Sequence, residues 1–126
     1  MLPPTSGTRA VAFTATARPS EALVFYRDKL GLRLLEDTPF ALVFDAFGTT
    51  LRVQKAGEVR PQPFTAFGFE VPDIEAAIHG LRESGVPVLR FSQFALDAHG
   101  IWTAPSGARV CWFADPDGNV LSLSQH

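Results

Sequence analysis

Apolar and polar positions alternate, shift to helical spacing and return to alternation, and they do so twice along the chain. Residues 10–17 read AVAFTATA, a run of β-branched, aromatic and small residues without Gly or Pro that predicts a strand. Pro19 and Ser20 then mark a helix start, with Ser20 as the expected N-cap. Leu23, Tyr26 and Leu30 recur at helical spacing until Gly31 stops the run. Three short extended runs follow, near 32–36, 40–45 and 50–54, separated by Asp37-Thr38-Pro39 and Phe47-Gly48-Thr49. The first half therefore reads β-α-β-β-β.

Residues 56–63, AGEVRPQP, are rich in Pro and polar side chains and read as a linker. Beyond it the pattern restarts. Residues 64–71 predict a strand, Pro72 and Asp73 punctuate it, and Ile74, Ala77, Ile78 and Leu81 give the apolar face of a second helix ending at Gly85. Extended runs are expected at 86–90, 109–114 and 120–124, the last two joined by the hairpin turn Asp115-Pro116-Asp117-Gly118-Asn119. Glu21, Ala22 and Gly31 recur as Glu75, Ala76 and Gly85, each 54 positions on. The chain is expected to be one α+β domain: two tandem βαβββ modules, about 9–55 and 64–125, forming a curved mixed sheet with helices on its outer face. An amphipathic helix hides only one face of a sheet. Pairing of modules, and of two chains, around a cavity would cover the other.

Composition narrows the function classes. Hydrophobic residues make up 46% and charged residues 19% of 126 positions, a balance that supports a packed core. Net charge is -2 and the 11 basic residues are scattered, which leaves no footprint for a nucleic acid or an anionic membrane. The lone Cys111 sits in an apolar run with Val110, Trp112 and Phe113, where a buried, inert thiol is expected. MLPPTSGTRA has neither the charge nor the apolar core of a secretion signal, and no apolar run is long enough to span a membrane, so the cytoplasm is the expected compartment.

Three segments carry a resemblance: RPSEALVFYRDKLGL after the first strand, FEVPDIEAAIHGLRESGV opening the second half, and FADPDGNVLSL closing it. In this order and spacing they resemble the vicinal oxygen chelate superfamily, the glyoxalase, bleomycin-resistance and extradiol-dioxygenase group. The resemblance implies four strand positions whose His or Glu side chains converge on a divalent ion. Counted from FY, from F-E-V-x-D-I and from DPDGN, those positions fall on Val11, Ala66 and Ser122, with the fourth on or near Arg52. Zinc, iron and manganese need several imidazoles or carboxylates in fixed geometry, so no metal and no other cofactor is expected. His79, beside Glu75 and Glu83, and the terminal His126 form no replacement cluster.

Strand alternation then sorts the cavity wall. If Val11 faces the cavity, so do Phe13 and Ala15; if Ala66, then Phe64 and Gly68; if Ser122, then Val120 and Ser124, with Trp112 and Val110 across the hairpin. Arg52 would suit a carboxylate or phosphate in that cavity, or, one register off, would simply be exposed on an edge. Residues 91–107, FSQFALDAHGIWTAPSG, lie where the family carries a loop over its site. His99 there is a proton carrier or turn punctuation, and Trp102 a stacking platform or a loop anchor.

The expected ligand-binding set is Phe13, Arg52, His99, Trp102, Trp112 and Ser122, holding a small organic molecule, anionic or aromatic, in a homodimer. The alternatives are a metal-independent lyase, isomerase or hydrolase using Arg52 and His99, and a ligand-free structural or regulatory module whose pocket is filled by its own Phe and Trp side chains.

Overall fold

The structure is a computed structural model describing residues 1–3 and 6–126. β1 (Val11–Thr16) leads into α1 (Pro19–Leu23), whose last turns widen into a π-helix over Val24–Lys29. β2 (Arg33–Asp37), β3 (Ala41–Ala46) and β4 (Thr49–Lys55) complete a four-stranded sheet in the order β1-β4-β3-β2, with β1 parallel to β4. The second half repeats this plan. β5 (Thr65–Glu70), α2 (Ile74–Glu83), β6 (Trp102–Thr103), β7 (Arg109–Ala114) and β8 (Val120–Gln125) give the sheet β5-β8-β7-β6, with β5 parallel to β8. The two βαβββ units predicted from the period changes are thus both formed, and β1 lies beside β5.

Two local expectations need correction. Ser20 is not the N-cap. The helix begins at Pro19, whose fixed φ suits the first helical position; Arg18 caps it through its backbone, accepting from Ala22 N–H at 2.9 Å. Residues 86–90 form no strand, for Pro87 has no N–H to give. The segment makes one ladder-like bond, Leu89 N–H to the Trp112 carbonyl at 2.8 Å, and the outer strand of the second sheet comes instead from Trp102–Thr103.

The wide turns of the π-helix explain the FY pair. Phe25 and Tyr26 are consecutive yet both buried: Phe25 packs towards Phe113, while Tyr26 lies between Phe44 of one sheet and Phe67 of the other. Gly31, at φ 79°, ends the element, and Leu32 N–H returns to the Tyr26 carbonyl at 3.0 Å. On α2, Asp73 accepts from Ala76 N–H at 3.1 Å, and Ile74, Ile78 and Leu81 are buried. One apolar core therefore serves both sheets. It includes Leu42, Phe44, Leu51 and Val53 from the first, and Cys111, Phe113, Leu121 and Leu123 from the second. Among the described residues no helix is long and apolar enough to cross a membrane.

The DPDGN turn fastens the halves. Asp115, only 5% exposed, accepts Tyr26 O–H at 2.7 Å and Asn119 Nδ2 at 2.8 Å on one oxygen; the backbone N–H groups of Asp117 and Asn119, at 3.0 and 2.9 Å, donate to the other. Asp117 accepts Thr16 O–H at 2.5 Å and Ala17 N–H at 2.9 Å, and Asn119 donates to the Ala15 carbonyl at 2.9 Å. Burial first, and then the neighbouring Asp115 charge, push the Tyr26 phenol far above its ordinary value near 10.

Tyr26→Phe removes one donor from a buried carboxylate and is expected to cost about 1–3 kcal/mol in urea unfolding. The raised pKa adds a pH signature. The folded state keeps a proton that the unfolded chain releases above about pH 10, so stability should fall as pH rises through that range. Tyr26→Phe should flatten that part of the decline; an unchanged slope would remove Tyr26 as its source.

Candidate functional site

β7 sorts its side chains by alternation. Cys111 and Phe113 enter the core, and burial pushes the Cys111 thiol up to about 11, as expected of an inert cysteine. Trp112 faces the opposite side. Its cross-strand partner on β8 is Ser122, which pairs in turn with Gly68 of β5. A Cβ at Gly68 would stand 2.0 Å from Ser122 Oγ, so the serine side chain lies over this glycine. Trp102 on β6 stands opposite Val110, one diagonal step from Trp112.

β5 departs from simple alternation. Its register with β8 shifts between Thr65 and Phe67, so Ala66 sits in a bulge. Phe67 and Phe69 still pack on the core, while Thr65 joins the Trp112 side and accepts the indole N–H at 3.1 Å. The expected trio Phe64, Ala66 and Gly68 therefore gains Thr65, which strict period-2 counting assigns to the other face.

The segment 91–101 turns back over this sheet face through a bridge between Leu96 and Trp102. Phe94 stacks on Trp112 with ring centroids 4.9 Å apart at 22° and lies 5.1 Å from Trp102; Phe91 meets Trp112 edge-on at 5.6 Å. Beside the stack is a cavity of about 200 Å³ lined by Pro63, Phe64, Thr65, Phe91, Gln93, Phe94, Trp112 and Val120. Phe91, Phe94 and Thr65 were not singled out from the sequence. The available signal was FSQF, two aromatics three apart at the head of the long loop.

His99 stands elsewhere. Asp97 accepts the His99 and Ile101 backbone N–H groups at 2.8 and 2.9 Å, and the bond from Ile101 is the main cause holding the Asp97 carboxyl below its usual range. The His99 carbonyl accepts from Arg82 of α2 at 3.4 Å and its side chain is exposed. His99 does not line the Trp112 cavity. His79 forms an exposed pair with Glu83 at 3.0 Å.

On the first sheet, Phe13, Arg52 and Val43 lie in one cross-strand row. Phe13 is 59% exposed, Val11 is exposed, and Arg52 is exposed with no ion pair among the described residues. The Trp112 cavity includes neither Phe13 nor Arg52. By the resemblance, the family's four metal-ligand positions fall on Val11, Ala66 and Ser122, with the fourth on or near Arg52: two apolar side chains, a hydroxyl and a cation. Among the described residues no group of three or more His, Cys, Asp or Glu could hold a metal ion. This donor set does not fit a divalent cation.

Residues 10–123 match the model of the Glyoxalase/Bleomycin resistance protein/Dioxygenase superfamily, and the chain belongs to that family. Solved structures agree on the fold. A glyoxalase/bleomycin resistance protein/dioxygenase from Alicyclobacillus acidocaldarius is similar over 98% of this chain and 94% of its own, with a TM-score of 0.73 and 19% identity. An integron cassette protein from the mobile metagenome of a Halifax Harbour sewage outfall gives a TM-score of 0.75 and 22% identity over 95% of this chain and 99% of that one. A lactoylglutathione lyase from Agrobacterium tumefaciens gives 0.69 and 19% identity over 97% and 95%. No curated protein matches the sequence.

The donor set makes a direct prediction. Elemental analysis of the purified protein should find no stoichiometric Zn, Fe, Mn or Ni, and a chelator should leave the Tm unchanged. Stoichiometric metal, or a Tm lowered by chelation, would refute this account of the four positions.

Proposed function

We propose that this protein is a metal-free binder of a small planar aromatic molecule bearing an anionic group, completed as a homodimer. The observation that carries the reading is the Trp102, Phe94 and Trp112 cluster beside an apolar cavity with Thr65 and Gln93 at its wall. Flat aromatic walls with a few polar groups favour a planar ligand, through stacking and burial, and one or two hydrogen bonds would fix its orientation. Ser122, between Gly68 and Trp112, is one such group. Arg52 supplies the complement for a carboxylate or phosphate.

Phe13 and Arg52 lie on the first sheet and the tryptophans on the second, and the Trp112 cavity contains neither Phe13 nor Arg52. A second copy would bring its exposed Val11, Phe13 and Arg52 to the Trp112 face and cover apolar surface at the same time. The buried free Cys111 fits a reducing compartment such as the cytoplasm. A lyase, isomerase or hydrolase reading would need His99 beside Arg52, and the exposed turn carrying His99 gives it no support.

One observation favours a second reading, a ligand-free module: Phe94 already rests on Trp112. Two measurements separate the readings. Both tryptophans of the chain are in the cluster, so titration with 2-naphthoate should quench intrinsic fluorescence saturably. Trp112→Ala should weaken that binding at least about tenfold, roughly 1.4 kcal/mol. Arg52→Gln should weaken 2-naphthoate about as much and leave neutral 2-naphthol unchanged. Sedimentation should show a dimer.

Phe94→Ala is the second measurement. If Phe94 is displaced by ligand, the variant should bind 2-naphthoate more tightly and lose less than about 1 kcal/mol of stability. If Phe94 is the permanent filler of the site, removing it should cost about 3–5 kcal/mol, as core Phe truncation does, and no quenching should appear in either protein.

A further inference from the structure

A second apolar groove lies between the π-helix, α2 and the β3–β4 turn, among elements that pack on the core side of the sheets. Its volume is about 300 Å³, and Phe69, Val71, Phe113 and Leu123 line it. Two positions around it, Phe47 and Gly80, are each poorer for the fold than an ordinary alternative, and a third, Lys29, places a cation at its edge.

Phe47 is the only non-glycine among the described residues with positive φ, at 54°, in the two-residue turn Phe47-Gly48. Such turns favour Asn or Asp at this place, and a bulky residue held left-handed is strained at a cost to the fold. The ring gains little for that cost. It meets Phe69 edge-on at 6.0 Å and remains 78% exposed.

Gly80 lies inside α2, where glycine destabilises the helix relative to alanine. A Cβ there would meet nothing within 4 Å, so packing does not demand the glycine. With Ala77 on the same helix it leaves the groove open. Lys29 is the groove's only lining cation and makes no ion pair among the described residues. Its ammonium lies about 4.0 Å from the site of a Gly85 Cβ, where the groove meets a wider one of about 570 Å³ that also includes Lys29 and Gly85.

We propose that this groove is a second small-molecule site, distinct from the Trp112 face, for an alkyl carboxylate of medium chain length. The alkyl chain lies against the half-buried Phe69, Val71 and Ala77, over the buried Phe113 and Leu123, and gains by taking its methylenes out of water. Phe47 closes over the chain, which buries the ring that the strained turn holds out. The carboxylate pairs with the Lys29 ammonium at the open end. The volume is at the lower limit of ligand cavities, which sets the class at medium-chain rather than long-chain acids.

Octanoate is the probe, followed by ¹H–¹⁵N NMR of the full chain. Saturable shifts are expected at Phe47, Phe69, Gly80 and Leu123, with the Trp112 indole signal unmoved. Gly80→Leu fills the groove while improving helix propensity and should weaken octanoate at least tenfold. Ala77→Leu is the second blocking variant should Gly80→Leu perturb the fold. Lys29→Gln should weaken octanoate about tenfold and leave octanol unchanged. The proposal is overturned if the shifts map to Trp112 or fail to saturate, or if both blocking variants bind as wild type. It is equally overturned if the groove is occupied by a second copy, seen as a dimer that Gly80→Leu dissociates. Because 2-naphthoate reads the other face, failure there leaves this result standing, and the reverse holds.

Discussion

A buried carboxylate that makes no ion pair among the described residues holds the two halves of this protein together. Asp115 is satisfied by four hydrogen bonds, two from its own turn, one from Asn119 and one from Tyr26. Desolvating a carboxylate is costly unless its lone pairs are met, so the turn conformation, the position of Tyr26 and the docking of β1 are mutually dependent. The dependence runs in both directions. The DPDGN turn needs Tyr26, and the phenol of Tyr26, buried between two sheets, has its acceptor in Asp115. Asp117 and Asn119 extend the same network to Thr16, Ala17 and Ala15. In a chain built from two similar units, this is the asymmetric part, formed by one turn of the second unit closing on the first strand and helix of the other.

That closure determines which faces the core leaves uncovered. With Phe25 and Tyr26 both turned inward, one core uses the helix side of both sheets. The opposite faces, where Trp112, Ser122, Phe13 and Arg52 stand, lie outside that core, and gaps remain between the helices and the sheet edges, one of them beside Phe47 and Gly80. Cys111 and Trp112 show how sharply alternation divides the two. They are adjacent, yet one is an inert core thiol and the other a wall of the aromatic cavity.

The order of elements was legible because it rests on period and on turn chemistry, both local. Ile74, Ala77, Ile78 and Leu81 could form only one apolar helix face, and DPDGN could form little but a turn. What was not legible depends on contacts remote in sequence. The bulge at Ala66 arises from pairing between β5 and β8, and nothing near residue 66 announces it. The π-helical turns read as an α-helix, since the spacing of Leu23, Tyr26 and Leu30 does not distinguish the two. Residues 86–90 look extended and lie beside β7, but Pro87 has no N–H to give and only Leu89 bonds to that strand. Phe94 is the clearest case: an irregular, Gly-containing loop gives no period from which to predict that one of its aromatic rings reaches Trp112. The Trp112 wall of the site was readable from strand alternation, while its loop side was not.

On the proposed reading, exchanging a metal for Arg52 changes more than the identity of the charge. A metal ion requires ligands that converge from both modules, so its site exists only where the modules share a cavity with accuracy of a few tenths of an ångström. A guanidinium on β4 needs no convergence, being attached to one sheet and always charged. The aromatic cluster likewise belongs to one sheet. The two halves of the site become separately stable, and the ligand, rather than an ion, must bridge them. Affinity then depends on how closely a second copy brings one sheet face to the other, which makes assembly part of recognition. An arginine side chain also reaches over a wider range than a coordinated ion. Such a site should accept anionic groups at several distances from the stacked ring, and select ligands by ring shape more than by charge position.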